Sequence, residues 1–362
     1  MCAVPLEKKV PDIEESIFLP SKDVKARMKR AVSRTPTPSK SSALSAMSFA
    51  HSRHELISHL CHALADRFGI TPNQQMVSKL QRSFIDMDSV DLHQRVNELS
   101  SLPAGHAYWL DLVAKLTVHE TYFFRDEPQL NMLRNRLLPH LIEKAAHDTS
   151  PTLRILSAGC STGEEVYSLT MLVLDALLEA GYAFGHAKAD IKIMPGWQVQ
   201  ILGVDVSADA LNIAKKAKYT NEGLGSFRNM APHWQHWFDE IKTGYSSALD
   251  SGLYTNTESQ TYRRPKAFIR NITEFSQHNL LQNGAHFGDF DMVICRNTMI
   301  YFNDANKNTA QNYLFDRLKP EGILLLGATD PLLCPERCVQ QRSLGMAYYM
   351  GKQFSLGNSS IK

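Results

Sequence analysis

No stretch of the 362 residues sustains the roughly eighteen apolar positions that a bilayer-crossing helix needs, and Met1 to Val10 lacks the apolar centre of a secretory leader. Cysteine is scarce and scattered. Cys2, Cys61, Cys160, Cys295, Cys334 and Cys338 show neither the density nor the spacing of a disulfide-stapled secreted domain, so a reducing, cytoplasmic setting is expected. The pair in Cys-Pro-Glu-Arg-Cys has no second pair or nearby histidine to complete a zinc set, and His54, His59, Cys61 and His62 sit on one amphipathic helix as ordinary residues. An excess of one charge is missing too. With 39 Lys and Arg against 37 Asp and Glu the net charge is +2, so bulk electrostatics call for neither nucleic acid nor an anionic membrane as partner. No internal repeat is visible. What remains is a chain with 43% hydrophobic residues, ample for a sizeable core and one or two domains.

The informative stretch runs from Leu153 to Ser168, Leu-Arg-Ile-Leu-Ser-Ala-Gly-Cys-Ser-Thr-Gly-Glu-Glu-Val-Tyr-Ser. Leu153, Ile155 and Leu156 predict a buried parallel strand; Gly159, Ser161, Thr162 and Gly163 form a small-residue turn that lets backbone approach a ligand; Glu164 and Glu165 open a helix. Acids suit the positive end of a helix dipole, but they repel the pyrophosphate such a turn often holds. The turn also lacks the three glycines of the dinucleotide fingerprint. S-adenosylmethionine, a nucleoside carrying a sulfonium and no phosphate, fits better. The plainer alternative is an ordinary strand-to-helix turn capped by Ser161 or Thr162.

In chain order, residues 1–48 are rich in Lys, Ser, Pro and Thr and read as a disordered, locally basic tail. From 49 to 120 the apolar period is helical, as in Leu56, Ile57, Leu60, Leu64 and Phe68, and predicts a small all-α domain. Residues 121–152 are a linker with a connecting helix over Gln129 to Ala146, and 153–352 alternate strand and helix. The second strand, Gln198 to Val206, carries Asp205 at its carboxyl end, where a doubly wound sheet sets it beside the glycine turn and where an acid can accept bonds from both ribose hydroxyls. Residues 219–272 break the alternation and read as an inserted subdomain with strand-like stretches near Leu253 to Thr257 and Ala267 to Ile272. Later elements are a strand at Phe290 to Cys295, a helix capped by Asn303 or Asp304 and running to about Leu318, a strand at Ile323 to Gly327, and an edge strand at Met346 to Gly351. Residues 353–362 are a tail.

The motifs His-Glu-Thr-Tyr-Phe-Phe-Arg-Asp from His119, the glycine turn, Gly-Val-Asp-Val, His-Asn-Leu-Leu, Cys-Arg-Asn-Thr-Met-Ile-Tyr-Phe and Leu-Lys-Pro-Glu-Gly-Ile-Leu-Leu-Leu-Gly occur in an order and spacing that resemble the CheR family of protein-glutamate methyltransferases over residues 50–352. The resemblance implies a class I methyltransferase fold, a doubly wound α/β sheet, with an N-terminal helical domain and a small inserted β-subdomain. It implies that His119, Thr121, Arg125, Glu165, Asp205, Asn279, Leu280, Arg296 and Asn297 line the S-adenosyl-L-methionine site. Arg125 and Tyr301 then lie nearest the transferred methyl. Its implied partners are the cytoplasmic helices of methyl-accepting chemoreceptors, met by a monomer that binds no nucleic acid and inserts in no membrane. The chain departs from the family's usual residues at His119, where Asn is common, at Val166, and at Ala328-Thr329-Asp330.

The chemistry suits these residue types. A glutamate is ionised at neutral pH and needs no general base to attack a sulfonium methyl, so the protein has to align oxygen, carbon and sulfur and exclude water. Arg125 can grip a carboxylate and the Tyr301 hydroxyl can orient it. Three readings stand at this point: a glutamate methyltransferase acting on chemoreceptors, a methyltransferase with another acceptor such as a lysine amine, and a non-catalytic adaptor.

Overall fold

The computed structural model describes residues 52–116, 121–220, 225–228, 230–242 and 261–352. The N-terminal tail, His119, the strand expected near Leu253 to Thr257 and residues 353–362 lie outside them.

Four helices come first: α1 (Arg53–Phe68), α2 (Gln74–Ser83), α3 (Ser89–Ser101) and α4 (Ala107–Leu116). Their starts are written in the sequence. Ser52 caps α1 in a reciprocal box with Glu55, Asn73 caps α2 through the Met76 amide, and Asp88 caps α3 through the Val90 and Asp91 amides. The helices bury Leu56, Ile57, Leu60, Leu64 and Phe68 of α1 against Leu80, Leu92, Val96 and the fully enclosed Trp109. The Trp109 indole N–H donates to the Leu99 carbonyl at 2.7 Å, so the ring is enclosed without an orphaned donor. Gly69 ends α1 at φ +71°, and a Cβ there would meet Leu281 and Asn306, so the helical cap packs tightly on the rest of the fold at this turn.

A helical rod comes next, α5 (Glu127–Met132) and α6 (Leu138–Ala146), joined by a π-helical stretch at Leu133–Leu137 just before Pro139, which has no amide hydrogen to donate. The α/β layer then runs β1 (Thr152–Ala158), α7 (Glu164–Glu179), the hairpin β2 (Ala183–Gly185) and β3 (Ile191–Ile193), β4 (Gln198–Asp205) and α8 (Ala208–Lys216). A second hairpin, β5 (Phe238–Lys242) with β6 (Thr261–Pro265), leads to α9 (Ala267–Arg270), β7 (Thr273–Gln277), β8 (Phe290–Cys295), α10 (Asp304–Asp316), β9 (Leu318–Leu326), β10 (Cys338–Ser343) and β11 (Met346–Gly351).

Seven of these strands form one sheet in the order β10-β11-β9-β8-β1-β4-β7. The five from β9 to β7 are parallel, and β11 is antiparallel to both its neighbours. Alternation along the central strands explains the layering. Leu153, Ile155, Ile201, Met292, Ile294, Ile323 and Leu325 face a core shared with α5 to α7, whereas Leu156, Leu202, Val204, Val293, Leu324 and Leu326 face one shared with α10. Both faces are covered, so the strands are apolar on both sides.

Three expectations are corrected. Ala267 to Ile272 is not a strand of the insertion: Ala267–Arg270 is a short helix, and the strand begins at Thr273 and belongs to the main sheet beside β4. Met346–Gly351 is not the edge, because β10 lies outside it. Neither Ser161 nor Thr162 caps α7; its N-cap is Gly163 at φ +91°, and the Thr162 hydroxyl donates instead to the Glu164 carboxylate at 2.6 Å.

Candidate active site

Parallel strands end together, and the loops beyond those ends make the site. After β1 the chain turns sharply. The amides of Gly159 and Cys160 both donate to the Val204 carbonyl, at 2.8 and 3.0 Å, which pins the turn to the end of β4. The next residue of β4, Asp205, is buried and accepts the Ser161 amide on Oδ2 and the Ser207 amide on Oδ1, both at 2.8 Å. Ser161 stands at φ +49°, a conformation worth about 1 to 3 kcal/mol of strain for a residue with a Cβ, and the Asp205 bond holds it there. Gly159 cannot be replaced by a larger residue without a shift: at φ +80° a Cβ would lie 2.1 Å from the Thr298 hydroxyl.

The opposite wall lies beyond β8. The Arg296 side chain is only 2% exposed. Its Nε donates to the Glu165 carboxylate at 2.7 Å and one terminal nitrogen to the Arg125 carbonyl at 2.9 Å, with Asp126 and Gln129 each at 3.4 Å. Glu165 accepts the Ser157 hydroxyl on its other oxygen. Gln129, buried on α5, donates to the Leu326 carbonyl at the end of β9. Arg296 therefore ties β1, α7, the 121–126 loop and α5 together. Asn297 beyond it is held at φ +55°, its amide bound by the buried Asp330, whose carboxyl burial pushes up while that bond pulls it partly back.

Aromatic packing fixes the 121–126 loop from below. Phe123 is fully buried, stacked on Phe227 at 5.0 Å and edge-on to Tyr219 and Phe238, and Phe124 stacks on Trp234 at 4.4 Å. Phe124 and Asp126 both adopt positive φ. The amide of Phe123 donates to the Ser226 carbonyl, and the Ser226 hydroxyl donates to Glu164. Glu164 is buried at the start of α7, and that burial pushes its carboxyl above the usual range.

The helical cap closes the cleft. Thr71 donates to the Tyr301 carbonyl at 2.8 Å, Ile70 and Phe302 form an antiparallel bridge, and the Asn279 side-chain amide donates to the Arg67 carbonyl at 3.3 Å. The result is a solvent-open cleft between the carboxyl ends of the strands and the cap.

Thr121, Arg125, Gly159, Glu165 and Asp205 all line this cleft, as do Asn279, Leu280, Arg296, Asn297 and Tyr301. The Asn279 side chain donates to the Arg67 carbonyl and accepts the Leu281 amide. Arg296 likewise spends its guanidinium on protein groups. Sequence reasoning missed Phe68, Ile70 and Val113, which the cap contributes, and Thr298, Val206, Phe302 and His278. The last four lie within the quoted motifs and could have been found there. The cap residues carry only a helical apolar period, which does not separate a cleft wall from a core.

These groups fit one class of ligand. A buried carboxylate stands opposite a small-residue turn, apolar residues flank both, and the acids on α7 disfavour a diphosphate. A nucleoside-type ligand without phosphate suits a cleft with this lining, as in a class I S-adenosylmethionine-dependent methyltransferase. Residues 119–344 match the family described as CheR methyltransferase, SAM binding domain. The chain is 28% identical to the chemotaxis protein methyltransferase of Borreliella burgdorferi over 229 residues, 63% of this chain and 70% of that one. It is 34% identical to chemotaxis protein methyltransferase 1 of Pseudomonas aeruginosa over 222 residues, 61% and 69% of the two chains. With chemotaxis protein methyltransferase Cher2 of Pseudomonas putida it shares 28% identity over 261 residues, 72% and 82%. The chain belongs to the CheR methyltransferase family, and S-adenosylmethionine is its cofactor.

His278 supplies a pH test. Its ring is buried at the cleft, Nε2 has no hydrogen-bond partner among the described residues, and burial, with His286 nearby, lowers it from 6.5 to about 4. The unfolded chain then binds more protons than the folded one between those values, so the contribution is complete above pH 6.5 and is lost as pH falls towards 4. Urea denaturation of His278→Gln across that window is expected to give a shallower loss of stability than wild type; identical slopes would remove His278 as the cause.

Proposed function

We propose that this chain methylates glutamate carboxylates on the cytoplasmic helices of chemoreceptors, the step that adjusts receptor output during chemotaxis. The observation that carries the reading is the commitment of the acids in the cleft. Glu165 is paired with Arg296, Asp205 holds two backbone amides, and His278 follows β7, separated from the β8 loop bearing Tyr301 by β4 and β1. Among the described residues that line the cleft these are the only acids and imidazoles, and a glutamate, unlike an amine, needs no deprotonation.

On this reading Asp205 would accept the ribose hydroxyls, Leu280, Val206, Phe68 and Ile70 would flank the base, and Gly159 would admit the chain of the ligand. Thr121, Asn297 and the Glu165–Arg296 pair border the amino-acid end. His119, outside the described residues, is expected beside it. The cofactor supplies an electrophilic methyl. Arg125 holds the accepting carboxylate through its planar fork, and the Tyr301 hydroxyl orients it from the other side. Val113, Phe302 and the cap keep water from the reacting line. The contribution of the protein is alignment, which is worth several powers of ten when the geometry is close to attack.

The acceptor class is tested by the product. Receptor fragment labelled from a radioactive methyl donor is expected to release volatile methanol in mild alkali, because an ester is cleaved by hydroxide and an N-methyl group is not. Label that survives alkali points to an amine.

Two substitutions divide binding from turnover. Asp205→Ala removes charge-assisted bonds worth about 1.5 to 3 kcal/mol each, so calorimetry is expected to record cofactor affinity at least tenfold weaker; unchanged affinity in a folded variant ends the ribose assignment. Tyr301→Phe is expected to lower kcat with cofactor affinity preserved, and wild-type turnover would take Tyr301 out of the mechanism.

A further inference from the structure

Tyr122 belongs to the 121–126 loop but does not line the cleft. Its half-buried ring borders a neighbouring hollow with Phe124 and Trp234, and two guanidinium groups share it: the central carbon of Arg228 lies 4.2 Å from the ring centre and that of Arg125 lies 5.9 Å from it. An aromatic ring attracts cations, and a guanidinium resting against one keeps edge N–H donors for a further partner. The two arginines come from separate parts of the chain. Arg125 lines the cleft, whereas Arg228 stands on the turn at 225–228 that Glu164 and Phe123 fasten through Ser226. Sharing one ring centre at those distances, the two guanidinium carbons lie within about 10 Å of each other. Residues three or four apart on a helix have Cβ atoms about 5 to 6 Å apart, and glutamate side chains that splay from that face reach the same separation.

We propose that Arg228 is a specificity-determining residue of the methylation reaction: Arg125 faces the accepting carboxylate, and Arg228 binds a second carboxylate three or four residues away on the same face of the substrate helix. Tyr122 sets the distance between the two. The inference rests on the glutamate-acceptor reading above and adds to it a demand for an acidic neighbour. Arg228 also offsets the buried charge of Glu164. A residue with that task alone would affect folding and show no preference among substrates.

The test is a cycle of enzyme and substrate changes, read as methylation kinetics on a purified receptor cytoplasmic fragment. Changing the glutamates three and four positions from the acceptor to glutamine is expected to raise the wild-type KM about tenfold, the loss of one charge-assisted bond, with kcat changed less than KM. Arg228→Ala is expected to raise KM equally on the unmodified fragment and to show no further rise on the neutralised one. Arg228→Lys, which keeps a cation beside Glu164 without the planar stack, is expected to fall between. Calorimetric affinity for S-adenosylmethionine should match wild type in both variants. The proposal is overturned if the two KM effects multiply instead of coinciding, or if KM is unchanged. Should Arg228→Ala not fold, Arg228→Lys and the neutralised fragment decide, and a wild-type enzyme indifferent to neutralisation overturns it. A wild-type enzyme that labels no fragment at all removes the glutamate reading itself, which is a separate result.

Discussion

A charge as deeply enclosed as that of Arg296 is tolerable only because its guanidinium is surrounded by partners. Removing a guanidinium from water costs several kcal/mol, and the Glu165 carboxylate, the Arg125 carbonyl and Gln129 offset that cost together. The same contacts set the geometry of the site. Glu165 stands in the first turn of α7, Arg125 lies on the aromatic loop that leads into α5, and Gln129 of α5 reaches the end of β9, so one side chain registers segments that are far apart in sequence. Substituting lysine would keep the charge and lose the fork, leaving the Glu165 and Arg125 contacts to compete for a single nitrogen. The position of Arg125, and through it that of any carboxylate it grips, depends on this buried ion.

Strain accumulates around the same place. Phe124, Asp126, Ser161 and Asn297 all adopt positive φ. Each is held by a specific device: stacking of Phe124 on Trp234, the Arg296 contact to Asp126, the Asp205 bond to Ser161 and the Asp330 bond to Asn297. Residues so placed present backbone and side chains in directions that relaxed loops do not reach. Pre-organisation of this kind suits the alignment mechanism proposed above.

Much of this was legible in the sequence, for identifiable reasons. The apolar period of α1, the strand-turn-helix at Leu153 to Ser168 and the acid closing β4 are local signals, and local physics dictates them. The convergence of the glycine turn, Asp205 and Tyr301 came from topology, because parallel strands end on one side, whereas Arg125, which precedes β1, is placed by the aromatic loop and Arg296. The features that stayed hidden depended on distant pairings. The bridge between Ile70 and Phe302 joins residues with no shared motif, and the commitment of Asn279 to the Arg67 carbonyl is invisible without the cap in place. The segment at Ala267 to Ile272 misled because a short helix rich in Phe and Ile resembles a strand until its neighbours are known.

The helical cap has a consequence for what counts as a unit of this protein. The family match begins at residue 119, yet Phe68, Ile70 and Val113 form part of the cleft wall and the Thr71 amide bonds to the Tyr301 carbonyl. Inheritance and thermodynamics therefore divide the chain differently. A fragment beginning at residue 119 and keeping the rest of the chain would retain the seven-stranded sheet and the polar half of the site, but would expose the apolar half to water. In an exchange of parts between relatives, the turn from Phe68 to Thr71 has to travel with the catalytic half, although nothing in its own residues marks it as belonging there.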